Sequence, residues 1–454
     1  MNRPNIILLT VDTLRADMLG YAGYQRPITP NIDRFAAQSV RFRQAITAGS
    51  WTQAAFPGIL TSTYASMYGG CLGPLSTERP SPIKSLVENG YQTAAFSTSP
   101  LLSKTYGYHH HIKHFVDLLP TEKAPFLFGL KGGQPLLRTP WVHRLAQLFG
   151  QNWRPPKVYP TAAELNEVAI QWLEAHQGEP FFAWLHYMDV HWPYHLEETL
   201  TQPNEIAAAW QDLAHLHEVN WYGLPVSAAQ KARYVNLYEQ AVAYCDAQIG
   251  KLLAHLANSG LAENSVIILV SDHGEEFLER KHWGHVEINL YDEILNVPLI
   301  IHVPGVAGQV VEQQVSTLDI MPTVLELANC TPPDGMLGTS LSPLWQGNPA
   351  GYNAEVALSE RWRDDVHKIA VRSARFKYIW DREKPEEIEL YDLVVDPNET
   401  NNLAAQQPEV VAHMHGYVQA QLQRMRDTSP AAMVAEPDLD AEIIARLRGL
   451  GYVE

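Results

Sequence analysis

Asp12 closes the apolar run NIILLTVD (5–12), and SVIILVSDHG (265–274) ends in Asp272, His273 and a glycine. Two carboxylates and an imidazole leaving strand ends form a donor set for a divalent cation, because neighbouring parallel strands bring ligands together without closeness in sequence. The plainer reading makes Asp12 a cap for the next segment and Asp272–His273 an ordinary turn. Taken together in a strand-rich chain, the three favour a metal. Thr52, within SWTQAAFPGILTS (50–62), is a different kind of group. As an N-cap it would accept a hydrogen bond from the first helical turn. As a nucleophile it would stand where backbone N–H groups and the helix dipole partly neutralise a phosphate or sulfate. The two roles are compatible, since a nearby cation lowers the pKa of a hydroxyl that is otherwise a weak nucleophile.

Such groups need strands that end together. Besides the two runs above, TAAFSTS (93–99), PFFAWLHYMD (180–189) and VPLIIHVPG (297–305) read as strands buried on both faces. Between them, TPNIDRFAAQSV (29–40), TAAELNEVAIQWLEAH (161–176) and residues 232–260 carry helical periodicity. The alternation predicts an α/β fold around a mainly parallel sheet, with Asp12, Asp189, Asp272 and His273 at the carboxyl ends of strands, where reactive groups collect. Residues 103–160, rich in His, Pro and Gly, read as an inserted loop or lid that shapes substrate choice. A Gly- and Pro-rich stretch (334–351) precedes β-like KIAVRS and FKYIW, which places a domain boundary near 350.

With 454 residues the chain has ample length for a large core. Its formal charge of −17, from 50 acidic against 33 basic residues, argues against a general binder of nucleic acid or of anionic membranes. The three cysteines, Cys71, Cys245 and Cys330, are too scattered for a disulfide framework or a thiolate zinc site. No run is long enough for a membrane span. The opening strand follows Arg3 with no cleavage signal, so the expectation is an unexported, cytoplasmic protein.

The block NIILLTVDTLRADMLGYAGYQRPITPNIDRFA resembles the opening of the sulfatase family within the alkaline phosphatase superfamily. SWTQAAFPGILTS, FFAWLHYMDVHWPY, YEQAVAYCDAQIGKLL, SVIILVSDHGEEF, LYDEILNVPLIIHVPG, STLDIMPTVLELA, ELYDLVVDPNETNNLA and the terminal LRGLGYVE follow in family order. The resemblance implies an alkaline phosphatase-like domain (1–350) with a mixed, mostly parallel sheet flanked by helices. A small C-terminal α+β subdomain (351–454), with a short antiparallel sheet and a helix, would follow it. It also implies a metal-dependent hydrolase of small anionic phosphate or sulfate esters. Asp12, Asp272 and His273 then fall on metal-ligand positions, Thr52 on the nucleophile, His191 on an ester-contacting histidine and His285 beside the leaving group. An imidazole there protonates the departing oxygen or steadies its charge.

Three departures shape the expectation. Where formylglycine sulfatases carry C/S-x-P-x-R, residues 52–56 read T-Q-A-A-F. Threonine resembles instead the phosphodiesterase, phosphonate-ester hydrolase and phosphoryl-transfer branches, so a phosphodiester or phosphonate monoester is favoured. An arylsulfatase-like activity, a phosphoryl transferase and a silent anion-binding relative are the alternatives. Asp12–Thr13 replaces a pair of aspartates and His273 an asparagine, which moves preference from Ca²⁺ or Mg²⁺ towards Mn²⁺ or Zn²⁺. Ser99 stands where relatives place an asparagine that contacts substrate. Asp189 and His191 are an alternative second metal pair, the cluster His109, His110, His111 and His114 reads mainly as lid surface, and a homo-oligomer is left open.

Overall fold

Both faces of strand β1 (Asn5–Val11) are covered, which is why its sequence is a continuous apolar run instead of an alternation. Ile6 and Leu8 pack into one hydrophobic cluster, Ile7, Leu9 and Val11 into another on the opposite face. The computed structural model describes residues 3–70, 73–119, 133–149, 153–155, 159–195, 200–285, 289–363 and 366–429; Cys71 and the terminal LRGLGYVE lie outside them.

In chain order the further strands of the central sheet are β2 (Val40–Ile46), β3 (Gln92–Ser97), β4 (His114–Asp117), β5 (Phe181–Tyr187) and β6 (Ser265–Ser271). A two-stranded ribbon follows, β7 (Glu276–Phe277) against β8 (Trp283–Gly284). Then β9 (Asn296–His302), β10 (Gln309–Val311) and β11 (Val315–Ser316) return to the sheet. Its order is β10-β2-β9-β6-β1-β5-β3-β4, with β11 also on β2, and only β9 runs against its neighbours. The mixed, mostly parallel sheet flanked by helices is the expected α/β architecture. Because β1 lies between β5 and β6, with Val11 level with Tyr187 and with Ser271, the residues after these strands emerge side by side.

Four antiparallel strands follow: β12 (Ala357–Arg363), β13 (Val366–Arg372), β14 (Phe376–Asp381) and β15 (Ile388–Asp392), with the helix Pro408–Thr428 packed against them. Their core is shared with the large layer: Leu358, Ile369 and Val418 cluster with Tyr64, Met67 and Leu318. No helix of the described residues is long and apolar enough to cross a membrane.

The expected helices at 161–176 and 232–260 are present as Ala162–Ala175 and Ala228–Asn258. The first of the three is shorter than the pattern suggested: it stops at Ala37, and Val40 already belongs to β2. Residues 103–160 are not all loop, since β4 extends the sheet edge and Pro140–Leu148 is a helix. A four-residue strand and a nine-residue helix are too short to announce themselves by periodicity.

Close approach after β6 depends on Gly274. A Cβ there would meet the Glu293 carbonyl oxygen at 2.0 Å, while its own N–H donates to Ile294 O at 2.7 Å. Gly274→Ala is therefore expected to lower stability by about 1–3 kcal/mol and to push His273 out of place. Urea midpoints of variant and parent check this, and an unchanged midpoint would show that the strand end yields freely.

Candidate metal and nucleophile site

Asp12 directly follows β1, Asp272 and His273 directly follow β6, and all three are fully buried. One ligand atom from each lies within 4.8 Å of the other two. His273 Nε2 is 3.5 Å from Asp272 Oδ2 and 3.9 Å from Asp12 Oδ1. Those three atoms have no hydrogen-bond partner among the described residues. Buried carboxylate oxygens and a ring nitrogen left in this state are costly unless something cationic satisfies them. Ligands about 2.1 Å from one cation stand about 3.4 Å apart in a tetrahedron, so the spacing suits an ion.

The backbone aims these atoms. Thr13 has φ +56°, an uncommon conformation for a β-branched residue, and its N–H points to Asp272 Oδ1 at 3.3 Å. His273 N–H donates to the same oxygen at 2.9 Å, leaving Oδ2 for the site. His273 Nδ1 donates to Gly274 O at 2.9 Å, a bond that fixes the tautomer with its lone pair on Nε2. Thr47 Oγ1 donates to Asp272 O at 2.5 Å, tying the segment before Thr52 to the end of β6.

Electrostatics move the two carboxyls in opposite directions. Burial works against the Asp12 anion, yet the nearby His186, His191 and His273 rings hold its carboxyl well below the usual range. Asp272 moves the other way, pushed well up by burial and by the Asp12 charge. Burial, reinforced by His285, pushes His273 down to about 3, so it is a neutral donor at neutral pH.

Thr52 is the first residue of the helix Thr52–Thr61, whose N-cap position is occupied by Trp51. The hydroxyl is therefore not the cap: Thr52 Oγ1 donates towards Asp12 Oδ2 at 3.4 Å. Gly49 permits this closeness, because a Cβ there would overlap the Ala54 backbone at 2.5 Å. Ala54 N–H already bonds to Trp51 O, so the amides that precede it, Thr52 and Gln53, open the helix beside the carboxylate.

A row of imidazoles borders the triad. The His285 ring lies 4.4 Å from that of His273 and 5.1 Å from that of His191. His191 Nδ1 is 2.5 Å from Trp192 O, and burial lowers its pKa. Ser99 stays on the flank: it is buried just past β3, its N–H donates to Ser97 Oγ at 3.2 Å, and it has no hydrogen bond to the others among the described residues. Asp189 turns away to the helix Ala162–Ala175, accepting from Ala162 N at 2.9 Å, so it does not pair with His191 around an ion. The His109 and His110 rings lie tilted with centroids 4.6 Å apart and His114 stands on β4; none joins a group of metal-type ligands among the described residues.

Two residues outside the sequence expectations also belong here. His186, on β5 opposite Thr10, places Nε2 3.5 Å from Asp12 Oδ2 while its Nδ1 meets Thr10 Oγ1 at 2.9 Å. The signal was a lone imidazole inside the apolar strand FFAWLHY. Glu275, fully buried, accepts from His285 Nδ1 at 2.9 Å and from the Tyr194 hydroxyl at 3.1 Å. It follows the DHG turn in sequence, but nothing in the sequence shows which side of the ribbon it faces.

The sulfatase family matches residues 4–330, and a second family, "N-sulphoglucosamine sulphohydrolase, C-terminal", matches residues 283–428. The chain belongs to the sulfatase family. Enzymes of this family are metal-dependent hydrolases of ester bonds, and the buried triad fits that dependence. The multifunctional alkaline phosphatase superfamily protein PehA of Trinickia caryophylli is 25% identical over 493 residues, covering 93% of this chain and 95% of its own. An arylsulfatase of Clostridium perfringens is 24% identical over 440 residues, covering 88% and 90%. The crystal structure of the phosphonate monoester hydrolase of Agrobacterium radiobacter superposes with a TM-score of 0.71 at 22% identity, covering 94% of this chain and 96% of that one. At that identity the superposition speaks for the fold of this sulfatase-family chain, and the fold agrees.

Proposed function

We propose that this sulfatase-family enzyme hydrolyses a phosphodiester or phosphonate monoester through a covalent Thr52 ester. The observation that carries the reading is the Thr52 hydroxyl at the start of a helix, 3.4 Å from Asp12 Oδ2 and beside three buried ligand atoms that lack hydrogen-bond partners among the described residues. The resemblance of the chain to PehA and to a phosphonate monoester hydrolase supports it.

Asp12, Asp272 and His273 would hold one divalent cation. Bound there, it supplies Lewis acidity that lowers the pKa of a hydroxyl and absorbs charge on phosphoryl oxygens. An imidazole among two carboxylates suits Mn²⁺ or Zn²⁺ better than Ca²⁺ or Mg²⁺. Thr52 passes its proton by way of Asp12 Oδ2 to water, and Oγ1 attacks phosphorus in line, forming the Oγ1–P bond as the bond to the leaving oxygen breaks. The Thr52 and Gln53 amides meet the charge on the other oxygens. His285 or His191 donates a proton to the departing oxygen. Water then attacks the Thr52 ester, returning the hydroxyl and releasing the acid; an acceptor alcohol in place of water would make the same site a transferase.

Nitrophenyl phosphate, a bis-nitrophenyl phosphodiester, a nitrophenyl phosphonate monoester and nitrophenyl sulfate, each assayed with Mn²⁺, Zn²⁺, Ca²⁺ or Mg²⁺, test the proposal. The diester or phosphonate should turn over fastest, with Mn²⁺ or Zn²⁺ the best ions. Dominant sulfate turnover would replace this reading with the arylsulfatase one, and no turnover of any ester would leave a binding protein.

Glu275 gives the reaction a pH signature. Burial pushes its carboxyl up to about 7, so below that pH it is protonated and a poorer acceptor for His285 Nδ1–H. The wild-type rate is expected to rise through pH about 7 as Glu275 ionises. In Glu275→Gln the inflection should vanish and kcat fall by about 10–100-fold, the usual effect of removing a group that orients an imidazole. A pH–rate profile of both proteins decides the point.

A further inference from the structure

The inner face of the helix Pro140–Leu148 is accounted for by packing. Val142, His143 and Ala146 are buried, the helix lies on Pro203–Tyr222, and Leu137 joins Leu200, Ile206 and Trp210 in a small separate core. The outer face has no such explanation. Trp141 is 60% exposed, Leu145 49%, Leu148 81% and Phe149, just past the last turn, 75%; spacings of four, seven and eight put them on one stripe. With Leu136 they are five of the nine large apolar residues exposed among the described residues, the rest being Leu224, Val310 and the pair Val394–Val395. A contiguous apolar stripe on a surface marks something that covers it.

Charge says what. In a chain of net charge −17, the sequence has no acidic residue between Glu122 and Glu164, and the Lys and Arg residues of this segment among the described ones are Arg138, Arg144 and Arg154. Arg144 is exposed on the flank of the stripe. A two-fold contact between copies would set this basic rim against itself, whereas the headgroups of anionic phospholipids complement it. Trp, Leu and Phe on one helical face beside arginine are the composition of a helix that lies in a membrane interface.

The position agrees. β4 is parallel to β3, β5 and β1, so the chain leaves the sheet after Asp117 at the end that carries Asp12. It returns at Tyr159, whose hydroxyl sits 2.6 Å from His191 O and 2.9 Å from Pro193 O. The helix Pro203–Tyr222 that supports the stripe also touches β8, which directly precedes His285.

We infer that the exposed face of Pro140–Leu148 docks this protein onto an anionic phospholipid surface, with the catalytic end of the sheet on the same side. The overall negative charge argues against general adhesion to such membranes but not against docking through one basic face, because screening confines the interaction to charges within about 10 Å of the membrane. The inference does not depend on the ester that the site cleaves.

Co-sedimentation of the full chain with vesicles tests it. Binding to vesicles of equimolar phosphatidylcholine and phosphatidylglycerol is expected, with little to phosphatidylcholine alone and less at high salt. The triple substitution Trp141→Ser, Leu148→Ser, Phe149→Ser should weaken it on the order of a hundred-fold, and Arg144→Glu about ten-fold. Both proteins should keep the parent's thermal transition and its rate on a water-soluble ester. A wild-type chain that stays in the supernatant with phosphatidylglycerol vesicles, or a triple variant that binds as well as the parent, overturns the inference. So does sedimentation equilibrium showing a wild-type oligomer that the triple variant dissolves, since the stripe would then be a contact between copies.

Discussion

Thr52→Ala is expected to lower kcat for the preferred ester by about 10⁴-fold or more, the scale on which loss of a covalent nucleophile acts. The variant should still fold. It gives up the long hydrogen bond to Asp12 and a small buried methyl at the start of a helix whose N-cap position is Trp51, a change of about 1–2 kcal/mol. Metal content should be unchanged, because the partnerless atoms on Asp12, Asp272 and His273 remain. Thr52→Ser keeps the oxygen and should retain activity within about ten-fold. Single-turnover kinetics with metal analysis of the same samples separate the cases. A Thr52→Ala enzyme that keeps its metal and most of its rate would remove Thr52 from the chemistry.

The second large effect concerns Asp272. Without a cation, two buried carboxylates face each other, and the strain shows in opposite displacements: Asp12 held down by imidazoles, Asp272 pushed up by burial and by Asp12. A raised carboxyl favours the fold while protonated, and that contribution is lost as pH rises through the folded value. The metal-free protein should therefore lose stability as pH rises from the ordinary carboxyl range to the raised Asp272 value, and a cation should restore it, by about 4 kcal/mol at a thousand times its Kd. Asp272→Asn should behave in the reverse sense. The metal-free variant should be no less stable than the metal-free parent, while metal affinity falls by more than the 10–100-fold typical of losing a group that only orients a ligand. Activity should fall with it. Thermal melts with and without chelator, beside metal analysis, read both quantities. A metal-free Asp272→Asn protein much less stable than the metal-free parent would show that Asp272 serves the fold and not an ion.

Much of this was legible in the residues themselves. Continuous apolar runs that end in Asp12 and in Asp272–His273 require strands covered on both faces, and reactive groups after parallel strands can only meet at one end of a sheet. That argument, with the family resemblance, is enough for the architecture and for three residues that converge. It could not resolve the short pieces: β4 and the helix Pro140–Leu148 are held by neighbours far along the chain, and their own periodicity spans too few residues to show. Nor could it choose between the two roles of Thr52. Whether a hydroxyl caps its helix or faces a carboxylate depends on how closely the helix seats against residues 47–50, a distance set by Gly49 and by the pull of Thr47 on the end of β6.

Tertiary structure alone also recruited His186 and Glu275 and released Asp189 to a helix terminus. Sequence determines which groups are available and which strand ends carry them, because burial and periodicity are local. Direction is only partly local: His273 turns Asp272 and Gly274 turns His273 from the next position, but Thr13 N–H to Asp272 and Thr10 to His186 come from segments more than a hundred residues away.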